Sequence, residues 1–180
     1  EESGGIGWGV PEAMACACAQ SPALAREYHA ILLAYIHEHE GACHGIFVDN
    51  PALRRGVLWG VWRLAQARPE LAARAAPDLV AVLDPGRALE GRERSHEAPN
   101  LHDASARALA SLALGELARA GQALPENAAG ALDFWKDDAA LVEFWHDDGL
   151  HAAQAGHVAR EALVAIAHTH ARLGSPRDFD

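Results

Sequence analysis

The chain has 180 residues, enough for one domain with a real hydrophobic core. Its formal net charge of −10 disfavours binding to nucleic acid, because a phosphate backbone would face a repulsive surface. Alanine supplies 40 residues and the aromatic residues only 11, and alanine has the best intrinsic helix propensity. The composition therefore predicts an all-α fold.

The cysteines and the apolar runs indicate a protein of the reducing cytoplasm. Cys16, Cys18 and Cys43 are odd in number, so they imply no disulfide framework. The longest apolar runs fall far short of the ~18 residues that a spanning helix needs, and no membrane partner is expected. The chain starts at Glu1 without a leader pattern, which favours a fragment of a longer chain over a secretory precursor.

Capping residues and apolar periodicity predict a series of helices. Ser21-Pro22 and Asn50-Pro51 each pair an N-cap residue with a proline at the first helical position, and Asp103 is a further N-cap. Residues 84–102 show no period and predict a long loop, either functional or disordered. The predicted helices cover about residues 11–20, 22–39, 51–68, 69–76, 77–83, 104–120, 128–135 and 157–173.

One short segment departs from the helical pattern. Val142, Phe144 and Trp145 precede Asp148-Gly149, and an Asp-Gly step between short apolar–polar segments is a strong hairpin signal. We therefore predict a small β-hairpin near residues 142–154. The alternative is a single helix through this region, which the neighbouring aspartates and the glycine make costly.

An arginine recurs at a fixed spacing near the start of three predicted helices. Arg54, Arg107 and Arg160 lie 53 residues apart, each four residues after the N-cap position. An arginine in a first turn opposes the helix dipole, so the recurrence predicts a carboxylate partner in the adjacent unit and an inter-repeat ladder. The alternative is an exposed arginine that serves solubility.

The segment from Asp103 through Arg107 to Gly121 resembles the second helix of a HEAT repeat. Such helices often begin with Asp, continue with Arg and carry an Ala- and Leu-rich run that ends near Gly. The resemblance covers about residues 20–174 and implies an α-α superhelix of HEAT-like helical hairpins in one domain over residues 1–180. Because the 53-residue period exceeds the usual ~40–47, the long loop and the β-hairpin are expected to be insertions. Stacked units of this kind shield each other's apolar faces, and an uncovered edge predicts self-association.

Residues 37–44 contain the densest group of potential metal ligands. Zinc or iron accepts ligands of these types: His37, His39, Cys43 and His44. The first two histidines alternate along the predicted helix, so both reach one ion only if the helix ends there, which Gly41 permits. The alternative is a solvated helix end without a metal, because no second group with clear ligand spacing accompanies the segment.

Two similar stretches place aromatic pairs beside carboxylates. Phe134-Trp135 precedes one pair of aspartates and Phe144-Trp145 precedes another. We expect Trp135 and Trp145 either to anchor the hairpin on the last helices or to form an exposed patch that binds a protein partner.

Two functional hypotheses follow. The first is a non-catalytic helical-repeat scaffold, without a cofactor, that binds another protein carrying a basic patch. The second is a metal-binding protein or metal-dependent enzyme that uses residues 37–44. An enzyme without a metal has little support, because the sequence contains no nucleophile with a base, phosphate loop or dinucleotide fingerprint.

Overall fold

The computed structural model describes residues 6–37, 48, 50–85 and 103–174, which are mostly helical with one small antiparallel sheet. A 3₁₀ turn over Ala73–Ala75 joins the fourth and fifth helices. The elements are α1 (Val10–Gln20), α2 (Pro22–Ala34), α3 (Pro51–Ala67), α4 (Pro69–Ala72), α5 (Ala76–Leu83), α6 (Ala104–Arg119), α7 (Ala128–Trp135), β1 (Leu141–His146), β2 (Gly149–Gln154) and α8 (Ala155–Gly174).

The predicted N-caps begin three of these helices. The Ser21 hydroxyl accepts the backbone N–H of Leu24 at the start of α2. Asn50 and Asp103 each accept the N–H groups of the second and third residues of α3 and α6. Each bond satisfies a backbone donor that has no partner within its helix, which is why these residue types fix the helix starts.

The end of α2 differs from the prediction. The helix was expected to continue to residue 39 but ends at Ala34. The N–H groups of Tyr35 and Ile36 donate to carbonyls three residues back, and the Tyr35 carbonyl accepts from Val48 at 3.0 Å. This tighter last turn and a bond from a residue distant in sequence end the helix, and neither is visible in the local pattern.

Four helices contact one another in sequence order. Helix α3 packs between α1 and α6, and α6 packs between α3 and α8. The other long helices lie against this row: α2 contacts α1 and α3, α5 contacts α6 and α7, and α7 contacts α8. One continuous cluster of buried apolar side chains runs through these helices. No helix within the described ranges combines the length and apolarity needed to cross a bilayer.

The row of helices depends on small residues where neighbours approach closely. A Cβ on Gly60 of α3 would lie 3.2 Å from the Ala15 side chain of α1 and from the Leu32 side chain of α2. A Cβ on Gly115 of α6 would lie 3.4 Å from Ala162 of α8. A larger side chain at Gly60 therefore requires its neighbours on α1 and α2 to shift by a few tenths of an ångström.

The predicted β-hairpin is confirmed, and its two faces differ. Strands β1 and β2 pair with Trp145 opposite Leu150 and Phe144 opposite His151. On the inner face, Val142 packs with Ala108 of α6 and with the start of α8. Because side chains alternate along a strand, the opposite face is exposed and carries Leu141, Glu143, Trp145, Leu150, Ala152 and Gln154.

We expect Gly60→Val to lower the free energy of unfolding by about 1–3 kcal/mol, because the added methyl groups overpack the contact of α3 with α1 and α2. Gly130→Val in α7, where nothing lies within 4 Å of an added Cβ, is the matched control and should change it by less than about 0.5 kcal/mol. Urea unfolding followed by circular dichroism measures both. Equal losses in the two variants would contradict the close approach at Gly60.

Candidate functional site on the β-hairpin

The hairpin turn brings two histidines and an aspartate together. His146 ends β1 and His151 lies in β2, so strand alternation places both imidazoles on the inner face, and Asp148 lies in the turn between them. His151 Nε2 is 2.6 Å from Asp148 Oδ1, and His146 Nδ1 is 3.5 Å from the same oxygen. One carboxylate oxygen therefore faces a nitrogen of each ring.

Packing against α3 and β1 holds the two imidazoles in place. The His146 ring stacks on the buried Trp62 with centroids 5.2 Å apart, and its Nε2 lies 3.0 Å from the Gln66 amide nitrogen. The His151 ring stacks on Phe144 with centroids 6.0 Å apart. Both rings are half-buried, whereas Asp148 is exposed.

The electrostatics of the turn favour an ionised Asp148. The hydrogen bond from His151, a bond from the residue's own backbone N–H and the neighbouring His146 lower the pKa of the Asp148 carboxyl below its ordinary value. Because the pKa is lower in the folded state, this interaction stabilises the hairpin at pH values above the ordinary pKa of aspartate. The stabilisation is lost as the pH falls through the lowered value.

Two imidazole nitrogens and a carboxylate form a donor set suited to a borderline transition-metal ion. Taking one donor atom from each residue, the three atoms lie within 4.8 Å of one another. His146 also lines an open cavity of about 510 Å³ between the hairpin, α3 and the ends of α1 and α6. Its remaining lining residues are Ala19, Gln20, Arg63, Gln66, Ala67, Glu116 and Asp147.

The sequence prediction placed potential metal ligands elsewhere and missed this cluster. The signal that could have found it is the spacing His146-x-Asp148-x-x-His151 around a predicted Asp-Gly turn. In a hairpin with a two-residue turn, that spacing puts both histidines on one face. The spacing is informative only once the strand register is known.

Of the metal ligands predicted in residues 37–44, one lies in the described part of the chain. His37 Nδ1 is 2.8 Å from Asp78 Oδ1 of α5, which gives this imidazole a carboxylate partner. His39, Cys43 and His44 lie outside the described residues. A zinc or iron site in this segment stays a prediction.

Of the three recurring arginines, Arg54 and Arg107 are the fourth residues of α3 and α6, whereas Arg160 is the sixth residue of α8. Arg54 is buried. Arg107 donates from Nη2 at 2.5 Å and from Nε at 3.1 Å to one oxygen of Asp138. Arg160 donates to the carbonyl of Lys136 and lies 3.6 Å from Asp137. Two of the three arginines thus meet the same short segment between α7 and β1.

A further arginine joins α3 to α6. Arg55, next to the buried Arg54, lies 2.5 Å from Oδ2 of Asp103, whose other oxygen caps α6. This ion pair therefore ties α3 to the start of α6.

The two tryptophans predicted to bind a partner have different surroundings. The indole N–H of Trp135 donates to the Leu83 carbonyl at 2.8 Å, and the Arg107 guanidinium lies 4.1 Å from the Trp135 ring centroid. Trp135 is thus engaged within the protein. Trp145 is 60% exposed on the outer face of the hairpin.

We expect Arg107→Met to destabilise the fold by about 3–5 kcal/mol, because it leaves the largely buried Asp138 carboxylate without its cation. Arg119→Met, which removes an exposed pair with Glu116 on the same helix, should cost less than about 0.5 kcal/mol. Chemical denaturation measures both variants. A loss at Arg107 no larger than that at Arg119 would show that the pair does not hold the fold.

The titration of Asp148 tests the hydrogen bond across the turn. His151→Ala removes the main donor, so the pKa of the Asp148 carboxyl should rise towards its ordinary value. The chemical shift of its carboxyl carbon followed against pH by NMR measures the change. His157→Ala on α8, which removes a histidine paired with Glu161, is the control and should leave the Asp148 titration unchanged. An unchanged Asp148 titration in His151→Ala would contradict the hydrogen bond from His151 to Asp148.

Comparison with known proteins adds no relative: no family model matches the sequence, and no curated protein or solved structure matches the chain.

Proposed function

We propose that the chain is a HEAT-type helical-repeat scaffold that binds a basic protein partner through the outer face of its β-hairpin. The repeat part of this proposal draws support from the contacts in sequence order between α1, α3, α6 and α8. It also draws support from the constant 53-residue spacing of Arg54, Arg107 and Arg160, which lie in α3, α6 and α8. Each helix of such a row buries its apolar faces against its neighbours, which is how repeat scaffolds gain stability.

The observation that carries the docking part is an exposed aromatic and aliphatic pair on the hairpin. Trp145 is 60% exposed and Leu150 is 61% exposed, and they lie directly opposite each other on β1 and β2. Leu141, on the same face, is also exposed. Tryptophan is enriched among the residues that dominate binding energy at protein interfaces. A large apolar pair at the surface, supported from below, is typical of such a patch.

This pair is held rigidly before any partner binds. The indole N–H of Trp59 in α3 donates to the backbone carbonyl of Trp145 at 2.6 Å. On the inner face, Phe144 contacts Trp62 edge to face with centroids 5.6 Å apart. A surface whose backbone is already fixed loses little conformational entropy on binding, which favours affinity.

The charges around the pair favour a basic partner. Glu143 is exposed on the outer face, Asp147 and Asp148 are exposed in the turn, and Asp137 is exposed shortly before β1. The net charge of the whole chain is −10. Lysine or arginine side chains around an apolar anchor would complement this surface and speed association.

A second apolar stripe lies on α2. Leu24, Tyr28 and Ile31 recur at four- and three-residue steps and are all partly exposed. In a repeat scaffold, a face of this kind packs against another helical unit. The self-association predicted from the sequence would use this stripe and leave the hairpin open to its partner.

Photo-crosslinking tests the docking surface. A benzophenone amino acid replaces Leu150 in one variant and Val164, an exposed apolar residue of α8, in the control variant. In an extract of the source cells, we expect a covalent adduct with a basic protein from position 150 and none from position 164. Trp145→Ala should then weaken binding of that purified protein by about 30-fold or more, because hot-spot residues contribute 2 kcal/mol or more.

Two outcomes would overturn the docking proposal. One is an unchanged affinity in Trp145→Ala, with Val164→Ala as the matched variant that should bind as the wild type does. The other is an adduct from position 150 that joins two copies of this chain, which would assign the hairpin face to self-association. Circular dichroism of each variant confirms that the exposed substitutions leave the helices folded.

A further inference from the structure

We infer that the hairpin turn binds one zinc ion through His146 Nδ1, Asp148 Oδ1 and His151 Nε2. The imidazoles of this site lie on the inner face of the hairpin, away from Trp145 and Leu150, and the site shares only Asp148 in the turn with the charges around the proposed docking surface. Two imidazoles with one carboxylate suit zinc, whereas magnesium and calcium prefer oxygen ligands alone. The site would leave the fourth tetrahedral position of the ion open to water.

The distances between the donor atoms are close to those that zinc requires. Ligand atoms on a tetrahedral zinc lie about 3.3 Å apart when each bond is ~2.0–2.1 Å long. His146 Nδ1 and His151 Nε2 lie 3.5 and 2.6 Å from Asp148 Oδ1, and all three donors lie within 4.8 Å. Because the Asp148 side chain is exposed, a rotation of this group can even out its two distances to the imidazole nitrogens.

The hairpin fixes the two imidazoles before the ion arrives. His146 pairs with Gly149 to close the two-residue turn, and His151 lies two residues further along β2, so the ladder sets the separation of the two histidines. Stacking on Trp62 and on Phe144 limits the rotation of the rings. A donor pair fixed by packing loses less conformational entropy on metal binding than two mobile surface histidines.

The hydrogen bonds of Gln66 indicate which nitrogen of His146 carries the proton, and Gln66 thereby affects the affinity of this imidazole for zinc. The Gln66 carbonyl accepts from Arg63 at 3.2 Å, so the Gln66 amide N–H donates to His146 Nε2 at 3.0 Å. Zinc on His146 Nδ1 requires the imidazole proton on Nε2, where Gln66 presents a donor instead of an acceptor. Gln66→Glu supplies an acceptor at this place and completes a carboxylate–histidine–zinc arrangement.

Titration with zinc sulfate against a chromogenic chelator tests the site. We expect the wild-type chain to bind one equivalent of zinc at the hairpin. The double variant His146→Ala/His151→Ala should lower the affinity for this zinc ion by more than about 100-fold, because the loss of supporting groups alone lowers metal affinity by about 10–100-fold. Gln66→Glu should raise the affinity for this zinc ion by about tenfold. Cobalt in place of zinc should give tetrahedral visible absorption bands in the wild type that the double variant lacks.

Two controls separate this site from other histidines. His157→Ala removes an exposed histidine next to Glu161 on α8 and should bind zinc as the wild type does. The variant His39→Ala/His44→Ala, in the segment that the sequence predicts to bind metal, should still bind one zinc ion at the hairpin. NMR of the wild type should show cobalt broadening of the amides of β1 and β2.

Three results would overturn the inference. The first is the absence of saturable zinc binding by the wild-type chain. The second is wild-type affinity in the double variant, with circular dichroism showing intact helices, because the ion would then lie elsewhere. The third is an unchanged affinity in Gln66→Glu, which would remove His146 Nδ1 from the ligand set.

Discussion

The buried ion pair between Arg107 and Asp138 is the interaction on which the position of the hairpin depends. Arg107 lies in the first turn of α6, at the centre of the helical row, and Asp138 lies three residues before β1. The second carboxylate oxygen of Asp138 accepts the N–H of Ala140, and its carbonyl accepts the N–H of Gly156. One residue therefore fixes the connection from α7, the entry to β1 and the start of α8.

This junction also explains a glycine at the start of α8. A Cβ on Gly156 would lie 2.5 Å from the Lys136 carbonyl oxygen and 2.7 Å from the Asp138 amide nitrogen. No side chain fits there without displacing the backbone that carries Asp138. The same segment receives Arg160 one turn further along α8. The chain enters and leaves the hairpin at this junction, and the register of the strands follows from it.

The register divides the hairpin into two chemically different faces. With Trp145 opposite Leu150, the histidines and Phe144 share the face that packs on α3 and α6. A slip by one residue would expose Val142 and bury Trp145, so the core under the hairpin specifies the register strongly. The exposed apolar pair and the donor cluster are two consequences of one alternation. Their surroundings differ because one face meets solvent and the other meets tryptophan and glutamine side chains of α3.

The sequence by itself determined the elements whose signals are local. Ser21-Pro22, Asn50-Pro51 and Asp103 fix helix starts because each cap bonds the backbone of the next few residues. The Asp148-Gly149 step predicted the hairpin from local turn preference, although the two turn residues are Asp147 and Asp148 and Gly149 begins β2. The 53-residue recurrence also singled out Arg107 and Arg160, which both lie near aspartates between α7 and β1.

Tertiary structure decided everything that joins distant residues. Val48 ends α2 by bonding to Tyr35, and Arg107 finds Asp138 rather than a neighbour on its own helix. Packing also placed Trp135 under Arg107 and left Trp145 exposed, although the two tryptophans stand in similar sequence contexts. These contacts form only when distant segments pack together around the core. The free energy gained by burying apolar surface depends on all of these segments at once, so no short segment predicts it.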